Sequence, residues 1–184
     1  MYRPIHNHYP WYHLMPSSWS PSSWSYNWGP PYYQGSYSRS PYNRSLVLRD
    51  YGPQPAVVNI NRASLQNNTY RTALWTGKHL QVTLMSIDVG DDIGLEVHPE
   101  TDQFIRIEEG QGLVQMGPRK DRLDFEQRVC DDDAIMVPAG TWHNVINTGY
   151  TPLKVYAIYA PPEHPFGTVH ETKAIAMASE RNHT

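Results

Sequence analysis

Apolar and polar residues alternate along the chain from about residue 46 onward, in segments of four to eight residues. Alternation with a period of two is typical of β-strands that bury one face. Gly and Asp residues separate the segments, and both residue types help the chain to reverse direction. The pattern predicts strands at residues 56–60, 70–75, 80–87, 93–97, 103–108, 112–116, 125–130, 134–137, 142–147 and 153–159.

These predicted strands make the folded part of the chain all-β. Short strands at close intervals favour a double-stranded β-helix, or jelly-roll barrel, because closure removes most of the free sheet edges. We expect the barrel to span residues 45–165. The C-terminal tail at residues 166–184 can pack on the barrel, with a short helix near residues 172–179.

Residues 1–44 differ from the rest of the chain in composition. They hold eight of the 13 Tyr and four of the six Trp, together with many Ser and Pro and few aliphatic residues. Such a segment cannot build a core that offsets the chain entropy, so we expect a disordered arm. Two roles stay open for it: a dispensable tail, or an adhesive arm whose exposed rings bind a surface or spore-coat partner.

Charge and cysteine content narrow the class of protein. All 18 Asp and Glu lie from Asp50 onward, the net charge is -3, and Lys and Arg form no cluster, so nucleic acid is not an expected partner. Cys130 is the one cysteine, which excludes an internal disulfide and a zinc site built on cysteines. The sequence shows no apolar run long enough to cross a bilayer and no secretory signal. We therefore expect a cytoplasmic protein without a membrane partner.

Two groups of residues carry the candidate chemistry. The first reads Gly90, five residues, Glu96-x-His98, four residues, Gln103, six residues, Gly110; the second reads Asp132, five residues, Pro138-x-Gly140, two residues, His143, three residues, Asn147. Glu96 and His98 are two positions apart, so both side chains leave the same face of a strand. A strand can present two metal ligands in this way.

With these residues the chain resembles the cupin superfamily over roughly residues 50–165. The first cupin motif has His-x-His and a Glu where this chain has Glu96-x-His98 and Gln103, and the second opens with Gly where this chain has Asp132. The resemblance implies a β-barrel with a metal inside it, a small-molecule ligand, and pairing into a homodimer. It also implies the metal ligands, which in this chain are Glu96, His98, Gln103 and His143.

Glu96, His98 and His143 would supply one carboxylate and two imidazoles, the ligand type of non-haem Fe(II) oxygenases. We expect one divalent transition metal (Fe, Mn, Ni or Zn), with Gln103 either as a weak oxygen ligand or as a group that orients water or substrate. The alternative is a buried hydrogen-bond network of these residues without metal. A buried carboxylate is costly unless a cation or a donor pairs with it, which favours the metal for Glu96.

Three functions agree with such a site. The first is a metal-dependent enzyme acting on a small molecule, either a dioxygenase or a sugar isomerase. An isomerase also needs a general base, for which the nearby loop offers Glu100 and Asp102. The second is a barrel that holds a ligand or metal without turnover, and the third is a coat or surface protein displayed through the arm at residues 1–44.

Other residues are assigned weaker roles. Arg71 and Arg106 could meet an anionic substrate, although their alternating strands favour solvated side chains. Residues 164–170 are expected either to cover the barrel mouth as a lid or to pack as a surface loop. The acids at residues 131–133 should raise the pKa of the Cys130 thiol, which argues against a nucleophilic role.

Aromatic and amide side chains complete the candidates. The aromatic residues either line the pocket or fill the core. They are Trp75, Trp142, Tyr156 and Phe166. Asn144 and Asn147 are expected to form hydrogen bonds at turns or strand edges.

Overall fold

The computed structural model of this chain describes residues 45–181, so the predictions for the arm at residues 1–44 lie outside the described residues. Within that range the chain forms nine strands and two helices. In chain order they are α1 (Ile60–Gln66), β1 (Arg71–Thr76), β2 (Gln81–Ile87), β3 (Asp102–Glu109), β4 (Gln111–Gly117), β5 (Phe125–Cys130), β6 (Ala134–Val137), β7 (Trp142–Asn147), β8 (Leu153–Ala160), β9 (Val169–His170) and α2 (Lys173–Arg181).

The strands form two antiparallel sheets. The larger has the order β6-β3-β8-β2-β1-β9 and the smaller the order β5-β4-β7. Neighbouring strands that are distant in sequence, such as β3 and β8, show that the chain winds between the sheets. The all-β jelly-roll fold expected from the alternation is thereby confirmed.

The interior of the barrel is apolar along most of its length and polar at one end. Ile105 and Ile107 of β3 are buried in the main core, and Gln103 precedes them on the same face of the strand. Gln103 pairs with Tyr159 of β8, which in turn pairs with Gln81 of β2. The register therefore brings inward-facing polar side chains together at one level of the barrel.

The outer face of the larger sheet is covered as well. Leu74 of β1 and Leu84 of β2 point away from the main core and pack with Ala63 of α1 in a second apolar cluster. Because both faces are covered, residues of β1 and β2 are buried almost without interruption. No helix within residues 45–181 is long and apolar enough to span a membrane.

Two of the predicted strands are wrong. Residues 56–60 are irregular up to the start of α1, where the Asn59 side chain accepts a hydrogen bond of 3.0 Å from the amide of Arg62 and caps the helix. Residues 93–97 form only isolated bridges to β7, because Gly94 has a φ of 83° that interrupts an extended strand. The helix expected near residues 172–179 is confirmed as α2.

Asp132 shows how the second motif keeps its turn without its Gly. The residue has a φ of 71°, in the left-handed region that Asp tolerates better than most residues. Its amide donates a hydrogen bond of 3.0 Å to the Ile107 carbonyl. The substitution at this position therefore preserves the turn.

Candidate metal centre

Backbone pairing between the two motifs places Glu96 beside His143. The amide of Glu96 donates to the His143 carbonyl at 3.0 Å, and the amide of His143 donates to the Glu96 carbonyl at 2.9 Å. Residues that exchange both bonds in an antiparallel pair project their side chains from the same face. One carboxylate and one imidazole thus enter the barrel side by side, although residues 93–97 are not a regular strand.

The imidazole of His98 also contacts the Glu96 carboxylate. Its Nε2 lies 3.3 Å from Glu96 Oε1, and His143 Nε2 lies 3.4 Å from the same oxygen. The ligand atoms of Glu96, His98 and His143 all lie within 4.8 Å of one another. The structure therefore brings together the three residues predicted to supply two imidazoles and one carboxylate.

Hydrogen bonds at the far side of each ring set the orientation of both histidines. His143 Nδ1 lies 2.9 Å from the Thr141 carbonyl oxygen, which can only accept a hydrogen. His98 Nδ1 lies 3.1 Å from Oε1 of Glu163. With acceptors at both Nδ1 atoms, the two Nε2 atoms face Glu96, where each can carry a proton or bind a metal, and this is the ring orientation of a metal-binding histidine.

The electrostatics of the cluster agree with a shared cation. Burial raises the pKa of Glu96, but the contacts with His143 and His98 and the charge of Arg71 outweigh it, so the carboxyl is held well below its usual range. Burial lowers the pKa of His98, while Glu163 and Glu96 more than offset this and raise the pKa to about 9. The position between Glu96 and the imidazoles therefore attracts positive charge, from a proton or from a metal.

The residues present fit a metal ion. With metal–ligand bonds of about 2.1 Å, neighbouring ligand atoms around one ion are roughly 3.0–3.4 Å apart. The two contacts of Glu96 Oε1, at 3.3 and 3.4 Å, agree with that spacing. His98 and His143 are nearly fully buried, and a metal site built on neutral imidazoles tolerates such burial.

Several buried polar atoms argue against a closed hydrogen-bond network. Among the described residues, His143 Nε2, Gln103 Oε1, Tyr159 Oη and Thr83 Oγ1 make no well-formed hydrogen bond. A network that served only the fold would satisfy such atoms. Gln103 is 3% exposed and its carboxamide oxygen faces the same interior, where a cation or a donor from a ligand would complete it.

Glu163 is a residue of the site that sequence reasoning missed. It follows β8 and is separated from His98 by a long stretch of chain, in a Pro-rich loop without motif spacing. Its carboxylate is partly exposed and contacts His98 Nδ1. Only the path of the chain after β8 could reveal this contact.

Arg71 does not have the solvated side chain that its alternating strand suggested. It is fully buried within the barrel, and its charge contributes to the lowered pKa of Glu96. Contact of Arg71 with an anionic substrate stays a prediction, but the expectation of a solvated side chain is wrong. It fails because β1 is covered on both faces, so that alternation no longer separates inside from outside.

The remaining candidates lie away from the cluster. Arg106 is a surface residue that pairs with Asp132 and Glu108. Trp75 lines an apolar concavity of about 430 Å3 on the outer face of the larger sheet, which contains none of the cluster residues. Cys130 is exposed, and its thiol donates a hydrogen bond to the Asp133 carboxylate, which together with the charges of nearby acids raises the pKa of the thiol as expected.

The two loop acids near His98 are not placed for chemistry at the cluster. Glu100 is exposed, and Oδ1 of the exposed Asp102 accepts a hydrogen bond of 2.9 Å from the Ala139 amide. Asn147 is buried and donates to the carbonyls of Ile87 and Thr151 at 2.9 and 2.8 Å. The expectation that Asn147 serves a turn is confirmed.

Comparisons with known proteins agree with the fold. A family model described as the cupin domain matches residues 83–159. The uncharacterized protein YrkC of Bacillus subtilis (strain 168) is 69% identical over 149 residues, which are 80% of each chain. The uncharacterized protein L612 of Acanthamoeba polyphaga mimivirus is 41% identical over 117 residues, 63% of this chain and 71% of that protein.

A solved structure extends this similarity to three dimensions. The crystal structure of BH2720 from Bacillus halodurans is 68% identical and superposes with a TM-score of 0.70. The match covers 71% of this chain and 98% of that one. The comparisons establish the fold, and the chemistry of the site rests on its own geometry.

Proposed function

This chain belongs to the cupin superfamily, and we propose that it is a metal-dependent oxidoreductase of the dioxygenase type, acting on a small molecule inside the barrel. In this proposal Glu96, His98 and His143 hold one divalent transition metal, with iron as the first candidate. Gln103 stands beside the metal as a weak oxygen ligand or as an acceptor for bound water or substrate.

The orientation of the two imidazoles is the observation that carries the proposal. Both Nδ1 atoms are occupied by acceptors, and both Nε2 atoms point at one carboxylate oxygen at 3.3 and 3.4 Å. Two imidazole nitrogens that face one carboxylate oxygen need positive charge between them, which either a metal ion or protons on the imidazoles can supply. Two imidazoles and one carboxylate are also the ligand set that leaves coordination positions open on iron.

The chain's own residues have distinct tasks in this site. Glu96 neutralises part of the metal charge, while Glu163 and the Thr141 carbonyl fix the rings of His98 and His143. A metal bound there supplies a Lewis acid with open positions for small molecules.

We favour a dioxygenase over a sugar isomerase because of the positions of the acidic side chains around the cluster. Among the described residues, Glu96 and Glu163 are the two carboxylates that contact the histidines of the cluster, and both are engaged in those contacts. Glu100 and Asp102 are exposed. No carboxylate in this part of the chain therefore stands ready as the general base that sugar isomerisation requires.

Binding of nitric oxide to the iron-loaded full-length protein tests the proposal. Nitric oxide occupies open coordination positions on Fe(II), and electron paramagnetic resonance detects the adduct. We expect an adduct in the wild-type protein loaded with Fe(II) under anaerobic conditions, and none in Glu96→Ala. Iron that is bound but forms no adduct would show a closed site and would leave a binding protein without oxygen chemistry.

A further inference from the structure

Arg71 places a positive charge inside the barrel, next to the proposed metal position. It is fully buried on β1, and its guanidinium lies 5.5 Å from the centre of the Tyr70 ring. Thr83 lies on the same inward face of β2 as Met85, the sheet partner of Arg71, and Thr83 pairs with Ala157, two residues before Tyr159. The charge of Arg71 also helps to lower the pKa of Glu96. Burying a guanidinium is costly, and structures retain one where it has an anion to meet.

Tyr159 and Thr83 supply hydroxyl groups in the same chamber. Both residues are fully buried, and their side chains lie close enough to interact with each other, although neither hydroxyl makes a well-formed hydrogen bond among the described residues. The Tyr159 ring stands edge-on to His98, with centroids 5.6 Å apart, and edge-on to His164, with centroids 5.1 Å apart. The phenol therefore lies between the proposed metal position and His164.

The protonation states of these groups suit recognition of an anion. Tyr159 carries a phenol, which keeps its proton at neutral pH and can donate it in a hydrogen bond. Burial and the charge of Arg71 lower the pKa of His164 to about 3, so this imidazole stays neutral. Neither group brings a negative charge that would repel an anionic ligand.

The balance of charge favours a single negative charge on the ligand. Without a metal, the charges of Glu96 and Arg71 compensate each other inside the barrel. A divalent ion adds two positive charges, while Glu163 beside His98 adds one negative charge. One positive charge is then left over, which suits a carboxylate rather than a doubly charged phosphate.

From this arrangement we propose that Arg71, Tyr159 and Thr83 form a carboxylate-binding subsite, and that the substrate is a small organic acid. The inference rests on the proposed function, since the acid is held with its other end toward the metal. The planar guanidinium matches a carboxylate with two parallel hydrogen bonds. The hydroxyl groups of Tyr159 and Thr83 would complete the remaining acceptor positions of the carboxylate.

Binding of two small acids and of their neutral amides tests this subsite. The probes are glycolate and 3-hydroxypropanoate, each compared with its amide by calorimetry on the metal-loaded full-length protein. A metal ion alone binds acids more tightly than amides. The quantity to compare between variants is therefore the acid preference, that is, the ratio of the affinity for the acid to the affinity for its amide. We expect Arg71→Met to reduce the preference by roughly 30-fold or more, since it removes one partner of a buried charge pair.

Further variants keep the test decisive. Tyr159→Phe removes one hydroxyl and should reduce acid binding by about 5- to 10-fold. Arg71→Lys should recover part of the binding, and Arg106→Met, an arginine on the outer surface, should change nothing. Metal content is measured in each protein, so that weaker acid binding caused by loss of the metal is separated from loss of the carboxylate subsite; a wild-type protein that binds no metal would refute the proposed function instead.

Two results would overturn the inference. One is an acid preference that survives in both Arg71→Met and Tyr159→Phe while the metal is retained. The other is a metal-loaded wild-type protein that binds neither acid more tightly than its amide.

Discussion

Glu163 is the residue on which the orientation of His98 depends. Its carboxylate accepts the Nδ1 proton of His98 at 3.1 Å, and the opposite nitrogen then faces Glu96. Carboxylates in this position hold the tautomer of a metal-binding histidine and raise its basicity. A neutral amide would keep the shape of the side chain and lose the charge.

We expect Glu163→Gln to weaken metal binding by about 10- to 100-fold, measured by competition with a chelator. Glu100→Gln is the matched control, because Glu100 is an exposed acid two residues after His98. Equal metal affinity in Glu163→Gln and the wild type would show that Glu163 does not position the ring. The metal affinity would then depend instead on the orientation of His143 by the Thr141 carbonyl.

The three residues of the cluster could be predicted from the sequence, whereas the residues that contact them could not. Glu96, His98 and His143 stand at spacings that a strand and a turn convert directly into neighbouring side chains. Glu163 and Arg71 reach the site through tertiary structure. Glu163 is brought there by the path of the loop after β8, and Arg71 is buried because both faces of β1 are covered. Neither circumstance leaves a periodic signal in the sequence.

At the scale of elements, the strap (residues 161–168) is docked beside the polar residues of the barrel interior. The fully buried Gln81 holds it with two hydrogen bonds, from its Nε2 to the His164 carbonyl at 2.8 Å and from the His164 amide to its Oε1 at 2.9 Å. Asp50 accepts a further bond of 2.9 Å from the Gly167 amide. The strap carries Glu163 and His164, so its docking completes the site.

His164 makes the docked strap sensitive to acid. Burial and the charge of Arg71 lower its pKa from 6.5 to about 3 in the folded protein, whereas the unfolded chain takes up a proton near pH 6.5. The contribution of the neutral, buried His164 to the stability of the folded protein is fully present above pH 6.5 and is lost as the pH falls from there toward 3. For a single proton, the free energy of unfolding changes by up to about 1.4 kcal/mol per pH unit in this window.

We therefore expect His164→Gln to flatten the dependence of the unfolding free energy on pH between about pH 6.5 and 4.5, as measured by urea denaturation. His79→Gln is the control, because His79 is an exposed histidine in the turn between β1 and β2. A variant that keeps the slope of the wild type would show that His164 is protonated in the folded state.

The strands could be predicted from the sequence where the alternating pattern alone determines the local structure. Strands β2 to β8 follow alternation and turn residues, and the structure has them close to the predicted bounds. Residues 56–60 alternate too, but Asn59 caps a helix directly after them. At residues 93–97 a single glycine with a positive φ outweighs the strand pattern, and the motif spacing still brings Glu96 to His143.

At the scale of the whole molecule, the fold joins two motifs that are far apart in sequence. The register of residues 92–96 against β7 sets Glu96 opposite His143, and the larger sheet supplies the surrounding polar groups from β1, β2, β3 and β8. A slip of one residue in this register would turn either side chain away from the interior. The cluster of Glu96, His98 and His143 is therefore a property of the barrel as a whole.

Elemental analysis of the purified full-length protein, prepared without a histidine tag, tests the metal site most directly. We expect about one equivalent of iron, manganese, nickel or zinc in the wild type, and its loss in Glu96→Ala and His143→Ala variants that remain folded by circular dichroism. A wild-type protein without metal, even after anaerobic reconstitution, would contradict the metal centre and leave a barrel that binds its ligand by hydrogen bonds alone.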